Sequence, residues 1–99
     1  MHSIHHYQSY RLDWRGLEIE IRYCPDWTSS MHVAHIEVES VCRSPLPITE
    51  TGYRSLFTNA DFVEKLGGAI SFVEHWLDEE AEDAGWKSSE DRRRQFSLL

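Results

Sequence analysis

Six histidines and seventeen carboxylates are the residues of this 99-residue chain with the widest scope for chemistry. His2, His5 and His6 crowd the first six positions, where imidazoles could share a metal ion. They lie at a chain end, and no further ligand at closed spacing completes the tetrahedral set that structural zinc requires. His32 and His35 are three apart, which on a strand puts them on opposite faces, and His75 stands alone. The expectation is no metal and no other cofactor, with a regulatory metal site at the three N-terminal histidines as a minor competing idea.

Nucleophilic chemistry is poorly served. The chain has no Gly-x-Ser-x-Gly, no phosphate-cradling glycine loop, and no cysteine beside an identifiable base. Cys24 and Cys42 are too far apart for a metal knuckle, and two cysteines make no disulfide framework. They read as small apolar fillers near strand ends. The carboxylates fall into two groups. Glu18, Glu20, Glu37 and Glu39 occupy alternate positions of strand-like runs, whereas Asp78, Glu79, Glu80, Glu82 and Asp83 crowd one helix end. Acid there opposes the helix macrodipole, a local cost that can mark a working surface rather than mere solvation. Exposed carboxylates without a deep cleft do not make a glycosidase pair. No enzyme is expected.

Charge distribution narrows the partners. The net charge is −7, yet residues 1–91 hold all seventeen acids against seven bases, a charge of −10, and Arg92, Arg93 and Arg94 return three. Such a body repels phosphate backbones, so direct nucleic-acid binding by the domain is not expected, while basic protein surfaces remain suitable partners. No apolar run is long enough to span a bilayer, and the N-terminus lacks an apolar signal core. A cytoplasmic protein without membrane attachment is the expectation, its oligomeric state open.

The elements that must position these residues follow from periodicity. Residues 9–14 and 17–23 alternate apolar and charged around Arg15-Gly16, the pattern of a β-hairpin. Cys24-Pro25-Asp26 is expected to stop the second strand, with Trp27 to Ser30 as loop. Residues 32–41 alternate again. The three runs predict a three-stranded antiparallel meander with one apolar and one acidic face. Ser44 to Ser55 reads as a long connection, and Thr58-Asn59 as a helix cap ahead of Asp61. Phe62, Leu66, Ile70, Val73, Leu77, Ala81 and Ala84 then form a helical stripe. It predicts one amphipathic helix over about 60–84, with a kink or break at Gly67-Gly68 and a stop at Gly85. The fold class is α+β, the helix covering the apolar sheet face, as one domain over residues 1–85. Residues 86–99 are a polar and basic tail with the makings of a short helix.

Thr49, Glu50, Thr51, Tyr53 and Arg54 put donors, acceptors, an aromatic ring and a guanidinium into one loop. Such a loop is either knitted by its own side chains, including a Glu50–Arg54 pair, or a recognition loop on a rigid sheet. The string SPLPITETGYRS, with the upstream WRGLEIEI and downstream HWLDEEA, resembles a family of short bacterial proteins associated with plasmids and prophages. The likeness covers roughly residues 13–83. It implies a mobile-element context and supplies no activity, cofactor or catalytic residues.

The last five residues, Gln95-Phe96-Ser97-Leu98-Leu99, resemble the linear motif by which bacterial replication and repair proteins bind the DNA polymerase sliding clamp. Gln95 matches the leading glutamine, Ser97 the central polar position and Leu98 the buried anchor. Phe96 and Leu99 depart from the commoner leucine and phenylalanine. The resemblance implies that two apolar anchors and an amide enter a preformed pocket, with Arg92, Arg93 and Arg94 speeding encounter with the clamp's acidic surface. Packing of Phe96, Leu98 and Leu99 back onto the domain is the competing account.

These observations give one leading expectation, a non-enzymatic protein–protein interaction module of a bacterial mobile element whose tail binds the sliding clamp. A different class competes with it: a small acidic inhibitor of a host defence complex, such as a CRISPR effector, whose carboxylates imitate a nucleic-acid backbone on a basic partner.

Overall fold

The structure, a computed structural model, describes residues 6–28 and 30–86. His2, His5 and the whole Arg92–Leu99 tail lie outside the described residues. Four strands come first: β1 (Gln8–Trp14), β2 (Leu17–Thr28), β3 (Val33–Ser40) and β4 (Tyr53–Asn59). Two helices follow, α1 (Ala60–Lys65) and α2 (Ala69–Ala84). The strands form one antiparallel meander in the order β1-β2-β3-β4, so the sheet has four strands where the sequence predicts three. The α+β class stands.

The first hairpin forms where alternation places it. Trp14 pairs with Leu17 across Arg15-Gly16, whose φ values of 51° and 83° are the doubly positive pair a tight two-residue hairpin turn needs. Proline does not stop β2, contrary to expectation; the strand continues through Pro25 and Trp27 to Thr28. Cys24 pairs with His35 and Thr28 with Val33, so Pro25–Trp27 oppose Ala34 alone. That bulge puts the proline where the ladder is already interrupted and its missing N–H costs nothing.

The added strand is β4, which falls partly in the stretch read as connection. Leu56 pairs with Ile36 and Phe57 with His35. Its sequence, Tyr-Arg-Ser-Leu-Phe-Thr-Asn, lacks clean alternation because this is an edge strand, half exposed on both faces. Between β3 and β4, Leu46 and Thr49 exchange backbone hydrogen bonds of 2.8 and 3.0 Å and turn Leu46 and Ile48 into the core.

Asn59 caps α1 as its position suggests, its Oδ1 accepting from Phe62 N at 3.1 Å. The expected break occurs at Gly67-Gly68, where both glycines have φ above 100° and Gly68 N donates to Val63 O. This turn re-phases the apolar stripe. Val63 is buried on α1, and Ala69, Phe72, Val73, Leu77 and Ala81 on α2, whereas Phe62 is 50% exposed, Ile70 37%, and Ala84 faces solvent. A single unbroken helix would have kept Phe62 on the buried line, whereas Ile70 shares the helix and face of Val73 and Leu77 and is part-exposed in its first turn.

Ile19, Ile21, Ala34, Ile36 and Val38 supply the sheet side of the core and are fully buried, as are Val73 and Leu77 opposite. Tyr23 bridges the layers, its hydroxyl donating to Glu64 Oε2 at 3.2 Å. Burial, and then that carboxylate, pushes the phenol up to about 12. Gly85 closes α2 with φ 59°, and Trp86 N donates back to Ala81 O at 2.9 Å. Trp86 lies 5.1 Å from Trp14, ring to ring. Trp86 therefore packs against the core.

Candidate functional site

The two edges of the sheet differ. β1 presents Gln8, Ser9, Arg11 and Asp13, polar residues of the kind that discourage strand addition. β4 presents Tyr53, 40% exposed, and Phe57, 52% exposed. Hydrogen bonds from Ser40 N to Gly52 O and from Ala60 N to His32 O fix the phase of the β3–β4 ladder. Even-numbered residues of β4 turn their peptide groups toward β3, and Tyr53, Ser55 and Phe57 turn theirs outward. The Tyr53 carbonyl already accepts from Thr49 Oγ1 at 2.8 Å. Among the described residues no strand pairs with the outward backbone of Ser55 and Phe57.

Beside that edge, on the helix side, lies a cleft of about 450 Å³. Leu56 forms its sheet wall; Phe62 and Leu66 close one end, and Phe72 and Trp76 form the helical wall. Phe62 meets Phe72 edge-on at 5.9 Å, and Phe72 lies 6.1 Å from Trp76. Arg54, His75 and Glu79 supply the polar rim. The Arg54 guanidinium sits 5.8 Å over the Trp76 ring and donates to the Ile48 carbonyl at 2.9 Å. His75 Nε2 lies 3.1 Å from Glu79 Oε1. Among the described residues the arrangement is a trough of five apolar side chains rimmed by Arg54, His75 and Glu79, with an unpaired strand edge along one side.

Residues 7–86 match the family profile of the KlcB third domain. The chain belongs to that family. Neither a curated protein nor a solved structure matches it. The match runs from Tyr7 to Trp86 and so takes in the sheet, both helices and the Trp14–Trp86 contact.

Within this KlcB third domain the residues singled out from sequence scatter. The loop residues knit themselves: Thr49 and Thr51 hydroxyls both reach the Tyr53 carbonyl, and Thr51 N donates to Thr49 Oγ1 at 3.2 Å. The expected Glu50–Arg54 pair does not form, because Arg54 turns to Ile48 and Trp76. Glu50 instead lines a second hollow with Pro45, Leu46, Pro47 and Trp86.

The sheet carboxylates face guanidiniums. Glu18 and Glu20 share Arg11, Glu37 lies beside Arg22 and Glu39 beside Arg43. That face is therefore mixed in charge. Arg22 Nε is 3.2 Å from Glu37 Oε1 but off the line of a hydrogen bond, while Tyr53 Oη donates to Oε2 at 2.9 Å. Burial, then Glu37, raises the Tyr53 phenol. Among the helix-end acids, Asp78 is engaged, accepting from Trp14 Nε1 at 2.8 Å with Arg15 at 3.6 Å. Glu80, Glu82 and Asp83 are exposed and have no ion pair among the described residues.

Sequence reasoning missed an aromatic cluster on the outer face. His35 stacks on Phe57 at 4.4 Å and meets the Tyr7 hydroxyl through Nδ1 at 2.5 Å, and Trp27 packs edge-on against Phe57 at 4.8 Å. It covers Cys24, whose thiol is pushed up by burial and by Asp26. The bulge carries Trp27 back over the sheet, and nothing in local periodicity signals it. Among the described residues no group of three or more His, Cys, Asp or Glu is placed to hold a metal, and no helix is long and apolar enough to cross a membrane.

Proposed function

We propose that this domain is a non-enzymatic protein–protein interaction module of a bacterial mobile element, docking an extended segment of a partner protein along β4. One observation carries the reading: β4, unpaired on its outer side among the described residues, exposes Tyr53 and Phe57 and borders a largely apolar cleft, whereas every exposed residue of β1 is polar. Strand addition uses these two parts together, with main-chain hydrogen bonds for affinity and pockets for alternate side chains. The description of the family as a third domain suits a unit that contributes binding beside other domains.

Ser55→Pro tests it with little risk to the fold. The Ser55 N–H points outward, so proline removes an edge donor without breaking the β3 ladder. A photo-crosslinker at Phe62 should yield adducts with a partner protein in bacterial cells, and Ser55→Pro should remove them. A crosslinker at Asp13 on the β1 edge should yield none. Identical adducts from both edges, or adducts indifferent to Ser55→Pro, would sink the reading.

The tail has a separate role in this proposal. Gln95–Leu99 is the sliding-clamp-binding peptide, a reading supported by its sequence alone. A tail peptide should displace a known ligand from purified clamp, and Gln95→Ala with Leu98→Ala should reduce that displacement at least roughly tenfold, as loss of an anchor does. Equal displacement by the altered peptide would remove the tail from the proposal.

A further inference from the structure

The charge carried by β4 itself gives the docked segment a side-chain pattern. We infer that the segment holds an apolar residue followed two positions later by an aspartate or glutamate, the first entering the cleft at Leu56 and the second meeting Arg54. This rests on the strand-addition reading above and goes beyond it by giving the partner a sequence chemistry and a direction.

Arg54 is the residue that calls for an acid. Five arginines lie among the described residues of a chain with seventeen carboxylates. Arg11, Arg15, Arg22 and Arg43 each form an ion pair, with Glu18, Asp78, Glu37 and Glu39 respectively. Arg54 has no carboxylate partner among the described residues. It donates to the Ile48 carbonyl at 2.9 Å and lies 5.8 Å over the Trp76 ring. Neither neighbour carries a formal charge, and the guanidinium fork keeps further N–H donors for a carboxylate. Glu79, the one acid of the cleft lining, lies 3.1 Å from His75 Nε2 instead.

The spacing follows from the ladder. Arg54 and Leu56 turn their peptide groups to β3, so each would face a docked strand in a non-hydrogen-bonded pair, the kind that brings side chains closest. Both side chains lie on the helix face, where they line the cleft. The residues opposite them are therefore two apart and share that face, while the residue between them falls on the outer face beside Ser55. A strand added antiparallel, the commoner mode, passes Leu56 before Arg54. The order is then apolar, any residue, acid. Opposite charges directly across a strand pair attract, and like charges there repel, so a lysine in place of the acid is disfavoured.

Two other occupants lack the pattern. β4 contains no Asp or Glu, so a second copy pairing β4 with β4 offers Arg54 no carboxylate in any register. Residues 87–99 include Glu90 and Asp91, but Ser88 and Ser89 stand two positions before them.

The test uses the full chain and four labelled peptides in a neutral threonine–serine host, read by fluorescence anisotropy. One carries a leucine and, two residues later, a glutamate. In the others glutamine or lysine replaces the glutamate, or leucine and glutamate change places. At low salt the leucine–glutamate peptide should bind about fivefold tighter than the glutamine peptide, the upper worth of one cross-strand ion pair, and tighter still than the lysine peptide. High salt should shrink the difference. Arg54→Gln, which keeps a donor for the Ile48 carbonyl, should erase the preference and leave the glutamine peptide's affinity unchanged. Arg54→Glu should turn the preference to lysine. Glu79→Gln leaves Arg54 in place and should favour the glutamate peptide further. Ser55→Pro should abolish binding of all four.

Equal affinities for the glutamate and glutamine peptides, both lost in Ser55→Pro, would overturn the acid inference while the docking reading survived. A glutamate preference that persists in Arg54→Gln would overturn the role of Arg54, and a reversed peptide that binds as tightly would overturn the direction. Binding by none of the peptides, or binding indifferent to Ser55→Pro, would overturn both readings. A dimer dispersed by Ser55→Pro in sedimentation would assign the edge to a second copy and overturn the separate partner.

Discussion

Gly52→Ala should destabilise the domain by about 3 kcal/mol, from backbone strain plus overpacking. Gly52 has φ +82°, in the left-handed region, and links the long connection to β4. A Cβ there would stand 2.8 Å from Ser40 Oγ and 2.9 Å from the Arg43 carbonyl carbon and oxygen. None of these atoms can retreat cheaply. Ser40 is fully buried and donates to the Ser44 carbonyl at 2.7 Å, while its own N–H is bonded to Gly52 O. Thermal denaturation should show a fall of about 15 °C, at several degrees per kcal/mol for a domain this small. Gly16→Ala is the matched control: φ is +83°, but nothing lies within 4 Å of the added Cβ. It carries the strain without the overlap and should cost only about 1 kcal/mol. Equal losses from the two substitutions would show that the close packing at Ser40 and Arg43 contributes nothing.

Trp14→Ala should cost about 4 kcal/mol, the upper range for truncating a buried aromatic. The ring is 2% exposed and serves three partners at once. Its indole N–H donates to Asp78 on α2, Trp86 packs against it at 5.1 Å, and Arg15 lies 4.7 Å above it. Removing it leaves Asp78 without its donor and Trp86 without its platform. Trp14→Phe keeps most of the apolar area and loses mainly the hydrogen bond, for about 1 kcal/mol. Urea denaturation of the two variants separates packing from hydrogen bonding. A Phe variant as unstable as the Ala variant would place the energy in the Asp78 bond instead.

Much of the fold was legible because its elements obey local rules. Alternation around Arg15-Gly16 predicts the first hairpin, the glycine pair predicts the helix break, and Asn59 predicts the cap that the structure contains. The errors share a cause in long-range pairing. β2 survives Pro25 only because β3 tolerates a bulge opposite Ala34, a fact about the partner strand rather than about Cys24-Pro25-Asp26. β4 lies half exposed on both faces, so no alternation announces it.

The candidate site was harder to read for the same reason. Its open ladder exists only because β4 is the last strand, and Phe62 lines the trough only because the Gly67-Gly68 turn rotates α1 away from the buried stripe of α2. Residues chosen for their chemistry, such as Arg54 and Glu79, do reach the rim, but Phe62 and Leu66, which help to form the trough, read from sequence as part of the buried helical stripe.

The placement of Tyr7 and Trp86 has a mechanical consequence. The first described residues pack on the outer face beside His35, and the last pack on the helix face against Trp14, at the far end of β1. Seven residues of extended strand separate these points, a span of about 23 Å. Load passed between these two points would run along β1 and through the tryptophan clasp, so the β1–β2 pairing and the Trp14–Trp86 contact would bear it in series.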